Sequence, residues 1–388
     1  MISKGDFMSD SYYGDLMVIG MLGCEKFIDQ VDFYLREWRR HGDDDATFVT
    51  MADCPRFGSG EGKGILHSSM RGRDVYIICD CFNHGVTYRM HGQEIPMSPD
   101  DHYADLKRTI AAMAGKAKRI TLIMPMLYEG RQHKRSARES LDCAIMLQEL
   151  AAMGVSNIIT FDAHDARVSN AIPLTGFDSI RPTYQMLKAL VRVIPDISLS
   201  NDDIMIISPD EGAMSRTMYY ATVLGLDLGM FYKRRDYTTV VNGKNPIVAH
   251  EYLGKDLNGK DAIIIDDMIS SGDSIIDVAR QIREKGAKRI FFFVTFGLFT
   301  NGFEIFDKAY EEGLFTKCFT TNLVYHPEGL LEKEWYAEVN MCKYVAIIID
   351  TLNRDESIST LLNPVKKIHS ILDDHQKKVD NQIKIDIE

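Results

Sequence analysis

The stretch with the most pointed chemistry is Lys260-Asp-Ala-Ile-Ile-Ile-Asp266-Asp267-Met-Ile-Ser270-Ser271-Gly272-Asp273-Ser274. An apolar, β-branched run (Ala262 to Ile265) reads as a buried strand, and a helical pattern opens at Ile275 with Val278, Ala279 and Ile282 on one face. A loop at the carboxyl end of such a strand aims backbone N–H groups toward the incoming helix terminus, which suits a phosphate. The paired aspartates just before it can accept hydrogen bonds from sugar hydroxyls or help to hold a hydrated cation. Phosphate plus polyol is therefore the chemistry this stretch could perform; a buried strand followed by an acidic helix N-cap accounts for the same letters.

Four more polar clusters follow apolar strand patterns. They are the basic segment Tyr128 to Arg138, Asp162-Ala-His164-Asp165, Ser208-Pro-Asp210-Glu-Gly212 and Lys233-Arg-Arg235. Carboxyl ends of strands are where open α/β sheets take ligands. The plainer readings are a surface charge run for Arg131 to Lys134, a structural histidine for His164 and a solvated basic loop for Lys233 to Arg235. The glycine-rich Arg56-Phe-Gly-Ser-Gly-Glu-Gly-Lys-Gly64 is not a Walker A loop, since Phe57 stands at its first glycine and Gly64 where Ser or Thr would hold magnesium.

The elements that must position these residues alternate between strand and helix, which predicts largely parallel sheets. Strands are expected at 16–19, 46–51, 74–79, 120–124, 157–161, 203–207, 228–232, 262–265 and 290–295, near 319, and at 345–349. Helices are expected at 25–39 (Phe27, Val31, Tyr34 and Trp38 facing inward), 103–114, 141–153, 184–194, 215–224, from 275 and near 302–312. Polar turns are expected at His41 to Asp45 and Val240 to Pro246, a long loop at Phe82 to Asp101, and a charged helix that frays from Asn363. Ala-Lys-Arg-Ile enters a strand twice, at 117–120 and 287–290, and hints at duplicated halves.

At 388 residues the chain exceeds the roughly 250 at which single cores stop growing, so two α/β domains are expected. The 45% hydrophobic and 26% charged composition is that of a soluble globular protein, and a net charge of −11 argues against a nucleic-acid surface. Seven scattered cysteines point to reduced thiols in a cytoplasmic setting rather than to disulfides or zinc. The chain shows neither a signal-peptide pattern nor an apolar run of membrane-spanning length.

Read together, residues from about 16 to 362 resemble the ribose-phosphate diphosphokinase (PRPP synthetase) family, with its two phosphoribosyltransferase-like α/β domains. The resemblance rests on Arg56-Phe57-x-x-Gly60-Glu61 followed by Met70-Arg-Gly-Arg-Asp-Val-Tyr-Ile77, Arg131-Gln132-x-Lys134, Asp162-x-His164, Ser208-Pro-Asp210-x-Gly212, Lys233-Arg234-Arg235 and Asp266-Asp267-Met-Ile, in family order. It implies Mg²⁺-dependent transfer of the diphosphoryl group of ATP to the C1 hydroxyl of ribose 5-phosphate. Catalytic roles then fall to Lys233 and Arg235, and ATP binding to Phe57, Glu61, Arg131, Gln132 and Lys134. Ribose-phosphate binding falls to Asp266, Asp267, Ser270, Ser271, Gly272, Asp273 and Ser274, and the metal to His164, Asp162 and Asp210.

In the family Phe57 and Glu61 would serve a neighbouring subunit, which implies a homo-oligomer built from dimers, with no nucleic-acid or membrane partner. The expected domains are 1–185 on the ATP side, 186–362 with the catalytic and ribose-phosphate loops, and a tail at 363–388. Ser59, His133, Ser270, Asp273 and Phe296 depart from the usual family residues, and the loop at 82–101 is longer than expected. A non-catalytic regulatory homologue and a PRPP-consuming phosphoribosyltransferase are the alternatives.

Overall fold

The computed structural model describes residues 12–39, 47–235 and 247–387, with the side chains of 233–235, 247–250, 376 and 378–387 outside that description. The turns expected at His41 to Asp45 and Val240 to Pro246 lie outside it. The chain divides into two units, one of residues 1–180 and 341–363, the other of 181–340 and 364–388. Each is a mostly parallel sheet flanked by helices.

The first unit contains β1 (Leu16–Gly20), α1 (Glu25–Arg39), β2 (Val49–Asp53), β3 (Ile65–Leu66), β4 (Asp74–Ile78), β5 (Thr87–Met90), β6 (Gln93–Pro96), α2 (Pro99–Ala112), β7 (Arg119–Ile123), α3 (Asp142–Ala152), β8 (Asn157–Phe161) and β9 (Gly176–Ile180). The second contains α4 (Thr183–Val193), β10 (Ile204–Ser208), α5 (Met214–Leu224), β11 (Leu228–Arg235), β12 (Ile247–Leu253), β13 (Asp261–Ile269), α6 (Asp273–Glu284), β14 (Ile290–Gly297), α7 (Glu304–Glu311), β15 (Lys317–Thr321) and β16 (Tyr336–Val339). Of the last helices, α8 (Cys342–Asn353) and α9 (Ser359–Leu362) belong to the first unit and α10 (Val365–Ile387) to the second.

Among the described residues the sheets run β3-β2-β1-β4-β7-β8-β9 and β12-β11-β10-β13-β14-β15-β16. Each has one antiparallel edge pair, β2 with β3 and β11 with β12, followed by parallel neighbours. The repeated Ala-Lys-Arg-Ile enters the fifth strand in both orders, β7 and β14. Its arginine makes the same contact each time: Arg119 to Asp74, which opens β4, at 2.7 Å, and Arg289 to Asp261, which opens β13, at 2.6 Å. The parallel strands are buried along nearly their whole length (Asp74 to Ile78, Ile204 to Ser208, Ile290 to Gly297), as sheets covered on both faces require.

Several expectations need correction. Residues 345–349 form part of helix α8, not a strand: Cys342, Val345, Ala346, Ile349 and Asn353 are buried at helical spacing. Helix α8 also groups with the first unit, whereas the second domain was expected to reach 362. Arg39 donates to Asp350 (2.6 Å) and Asn353 (2.8 Å), and Asn353 donates to the buried Asp74 (2.8 Å). Helix α1 buries Ile28, Val31 and Leu35, while Trp38 stays exposed. The long loop at 82–101 contains the hairpin β5–β6. Helix α10 is docked as far as His375, whose ring hydrogen-bonds the Ile197 carbonyl at 2.8 Å. Among the described residues no helix is long and apolar enough to cross a membrane, and all seven cysteines are free.

Candidate active-site residues in the two units

In the second unit β13 does not stop at Ile265. It continues through both aspartates to Ile269, because pairing with β14 holds as far as Ile269 opposite Gly297. The aspartates are thus strand residues, with Asp267 buried and Asp266 partly so. Arg216 of α5, itself buried, sets one guanidinium nitrogen 3.5 Å from Asp266 and the other 3.4 Å from Asp267. Burial first and the neighbouring Asp267 second push the Asp266 carboxyl well up, and Arg216 pulls it back. Arg216 was not singled out from sequence, where it looks like any helix arginine.

The turn that follows fits an anion. Gly272 caps α6 at φ 99° without a side-chain hydrogen bond, and a Cβ there would overlap the Phe306 ring, so only glycine fits. The α6 terminus is thereby left uncapped by its N-cap residue. Asp273 and Ser274 are exposed, Ser270 and Ser271 partly so, and Asp273 is turned back to accept the Ser271 hydroxyl at 2.6 Å. Asp210, after β10, accepts the Ala213 amide at 3.1 Å. Lys233 and Arg235 lie within β11 rather than beyond it. Their backbone pairs with β12, with an irregularity between Arg234 and Arg235, and their side chains lie outside the described residues.

In the first unit Phe57 and Glu61 sit on a tight loop closed by Phe57 N–H to Glu61 O (2.7 Å) and Gly60 N–H to Phe57 O (2.8 Å). The Phe57 ring is 57% exposed, a large apolar face held in water, and Glu61 accepts the Ser59 hydroxyl at 2.9 Å. Arg131 and Lys134 are exposed, and Gln132 donates to the Ser140 carbonyl at 2.9 Å. The segment after β7 and the segment after β8 meet: the His133 and His164 rings are 5.3 Å apart, and His133 Nε2 lies 3.6 Å from Asp165. Asp165 is held well below the usual carboxylate range, by the Arg167 guanidinium first and by His133 as a lesser contributor. Asp162, nearly buried at the end of β8, takes φ 39°, a left-handed backbone rare for a residue with a side chain.

Among the described residues no group of three His, Cys, Asp or Glu side chains is placed to hold a metal ion. Asp162 and His164 belong to the first unit and Asp210 to the second.

Two family models match the chain, one in each half. The N-terminal domain of ribose phosphate pyrophosphokinase matches residues 24–154, and the phosphoribosyl transferase domain matches residues 177–315. Ribose-phosphate pyrophosphokinase of Vibrio cholerae is 26% identical over 326 residues, covering 82% of this chain and 94% of the relative. The Mycoplasma pneumoniae protein of the same name is 29% identical over 271 residues, covering 69% and 74%. The fold is similar to that of phosphoribosylpyrophosphate synthetase from Mycobacterium smegmatis, at TM-score 0.69 and 22% identity over 88% of this chain and 99% of that one.

Proposed function

Because the chain belongs to the ribose-phosphate pyrophosphokinase family, we propose that it is an enzyme of the diphosphotransferase type that converts ATP and ribose 5-phosphate to PRPP and AMP. The observation that carries the reading is the end of β13, where two carboxylates share one buried arginine beside an uncapped helix terminus. Asp266 and Asp267 accept hydrogen bonds from the ribose hydroxyls, while the N–H groups and hydroxyls from Ser270 to Ser274 take the 5-phosphate. The C1 hydroxyl oxygen forms a bond to the β-phosphorus of ATP, the bond from that phosphorus to the α-phosphate oxygen breaks, and AMP leaves; the hydroxyl proton passes to solvent.

Such a transfer asks a protein for alignment and charge neutralisation more than for covalent help. Lys233 and Arg235 supply cations for the moving group. Arg131, Gln132 and Lys134 hold the nucleotide, with Phe57 stacking on adenine and Glu61 accepting its amino protons from a neighbouring copy in a cytoplasmic homo-oligomer. Asp162 and His164 in the first unit, and Asp210 in the second, are each candidates to meet Mg²⁺ or its waters, and the ion would neutralise phosphate oxygens.

AMP formation measured from ATP with and without ribose 5-phosphate tests the proposal. Formation that depends strictly on the sugar phosphate supports it. No AMP under either condition, with the chain folded, points to a regulatory homologue; consumption of PRPP with a base points to a transferase.

A further inference from the structure

The connection from β4 to α2 holds a device that the proposed activity does not absorb. In the second unit the equivalent connection, β13 to α6, is the short anion turn. In the first it carries the hairpin β5–β6, closed by His91 and Gly92 at φ 49° and 79°. Two positive φ values in a two-residue turn match the twist of a tight hairpin. Isolated two-stranded hairpins are marginal in water, so this one must be held by what it touches. Its burial alternates: Thr87, Arg89 and His91 are exposed, while Tyr88 and Met90 face inward.

What Tyr88 and Met90 face is the loop that carries Phe57 and Glu61. The Arg56 guanidinium lies 4.9 Å from the Tyr88 ring centre, in cation–π contact, and is fixed from behind by Asp105 at 2.5 and 2.9 Å. The His91 amide donates to the Gly58 carbonyl at 3.1 Å. Gly60, at φ 96°, sits so close that an added Cβ would be 2.6 Å from the Met90 sulfur. Three separate contacts thus pin three successive parts of one loop, and Phe57 is left projecting into solvent from a braced base.

We propose that Tyr88 and Met90 are positioning residues: the hairpin holds the 56–61 loop in the form that presents Phe57 and Glu61, and so sets the affinity for the nucleotide base. The inference rests on the proposed activity for its substrate, and on the geometry alone for the brace.

The test uses the full chain and three variants. Tyr88→Ala/Met90→Ala removes both contacts. Gly92→Ala strains the turn where no other atom lies within 4 Å, so it loosens the hairpin without touching the loop. Tyr88→Phe keeps the ring over Arg56. Amide hydrogen exchange is followed at Phe57, Gly60 and His91, and KM and kcat are measured for both substrates. In the double variant and in Gly92→Ala we expect exchange at Phe57 and Gly60 to quicken at least tenfold and KM for ATP to rise about tenfold. KM for ribose 5-phosphate and kcat should stay within twofold, and Tyr88→Phe should match the parent.

Unchanged exchange at Phe57 and Gly60 while His91 loosens would overturn the brace. Faster exchange with an unaltered KM for ATP would overturn its role in nucleotide affinity. If the parent chain forms no AMP, the activity itself is refuted, and the exchange measurement, which needs no substrate, still decides the brace. Should the double variant misfold, Gly92→Ala carries the test.

Discussion

Replacing Arg216 with alanine should expose how much the two aspartates of β13 depend on one cation. Opposite unit charges at 3.4 and 3.5 Å attract by about 5 kcal/mol each at an effective dielectric near 20, before desolvation offsets most of it. Removing one member of a buried charge group typically costs about 3–5 kcal/mol. At about 2–4 °C per kcal/mol for a unit of this size, a loss near 3 kcal/mol lowers the melting temperature by roughly 6–12 °C.

The loss should depend on pH, with a definite sign. Burial and Asp267 already raise the Asp266 carboxyl, and Arg216 opposes them, so the variant's folded-state pKa moves further above the unfolded value. A carboxyl raised in the folded state costs nothing below its unfolded pKa of about 3.9, and its cost grows as pH climbs to the folded pKa. The deficit should therefore be larger at pH 8 than at pH 5. Thermal melts of parent and variant at the two pH values measure it, with Arg216→Lys expected to recover part of the stability. A deficit under about 1 kcal/mol at pH 8, or equal deficits at both pH values, would refute the reasoning.

Lys233→Ala should lower turnover by at least about 10²-fold with folding intact, as expected for a charge met mainly in the transition state; a near-normal rate would remove it from the mechanism. Activity should vanish in excess EDTA and return with Mg²⁺, and His164→Ala should weaken metal–nucleotide binding in titrations; full activity under chelation would rule that chemistry out. Asp273 already engages the Ser271 hydroxyl from an exposed position, so Asp273→Gly should change the apparent affinity for ribose 5-phosphate less than about fivefold. A gain of fiftyfold would show that its charge faces the phosphate.

Strand, turn and helix from Lys260 to Glu284 were legible because a β-branched run, a glycine and an amphipathic pattern follow one another. The true end of β13 was not, since nothing local says that the strand will keep pairing beyond Ile265, with Asp266 opposite Val294 and Met268 opposite Phe296, and with a buried arginine beside the aspartates. Val345-Ala-Ile-Ile-Ile349 reads as a strand because a short apolar run looks alike in either state, and its helical spacing becomes clear only when extended to Asn353. The hairpin did leave a signal in Tyr88-Arg-Met-His-Gly-Gln-Glu-Ile95: alternation, a His-Gly turn, alternation. Its contact with Arg56 and Gly60 had none, because those residues lie about 30 positions earlier and meet it only in the fold.

The matching ion pairs let the two units be compared position by position. Asp74 opens β4 and Asp261 opens β13, so five and six residues on, Cys79 and Asp80 stand where Asp266 and Asp267 stand. Asp80 is buried like Asp267, but the other carboxylate has become a buried thiol whose pKa is raised, chiefly by its hydrogen bond with Cys81 and by burial. A thiol is a much weaker hydrogen-bond acceptor than a carboxylate, so it does not replace one as a partner for sugar hydroxyls. The anion turn has been replaced in the same connection by a hairpin that reaches the 56–61 loop. With one carboxylate and the short turn both missing, the first unit does not repeat the arrangement that the second presents at the end of β13.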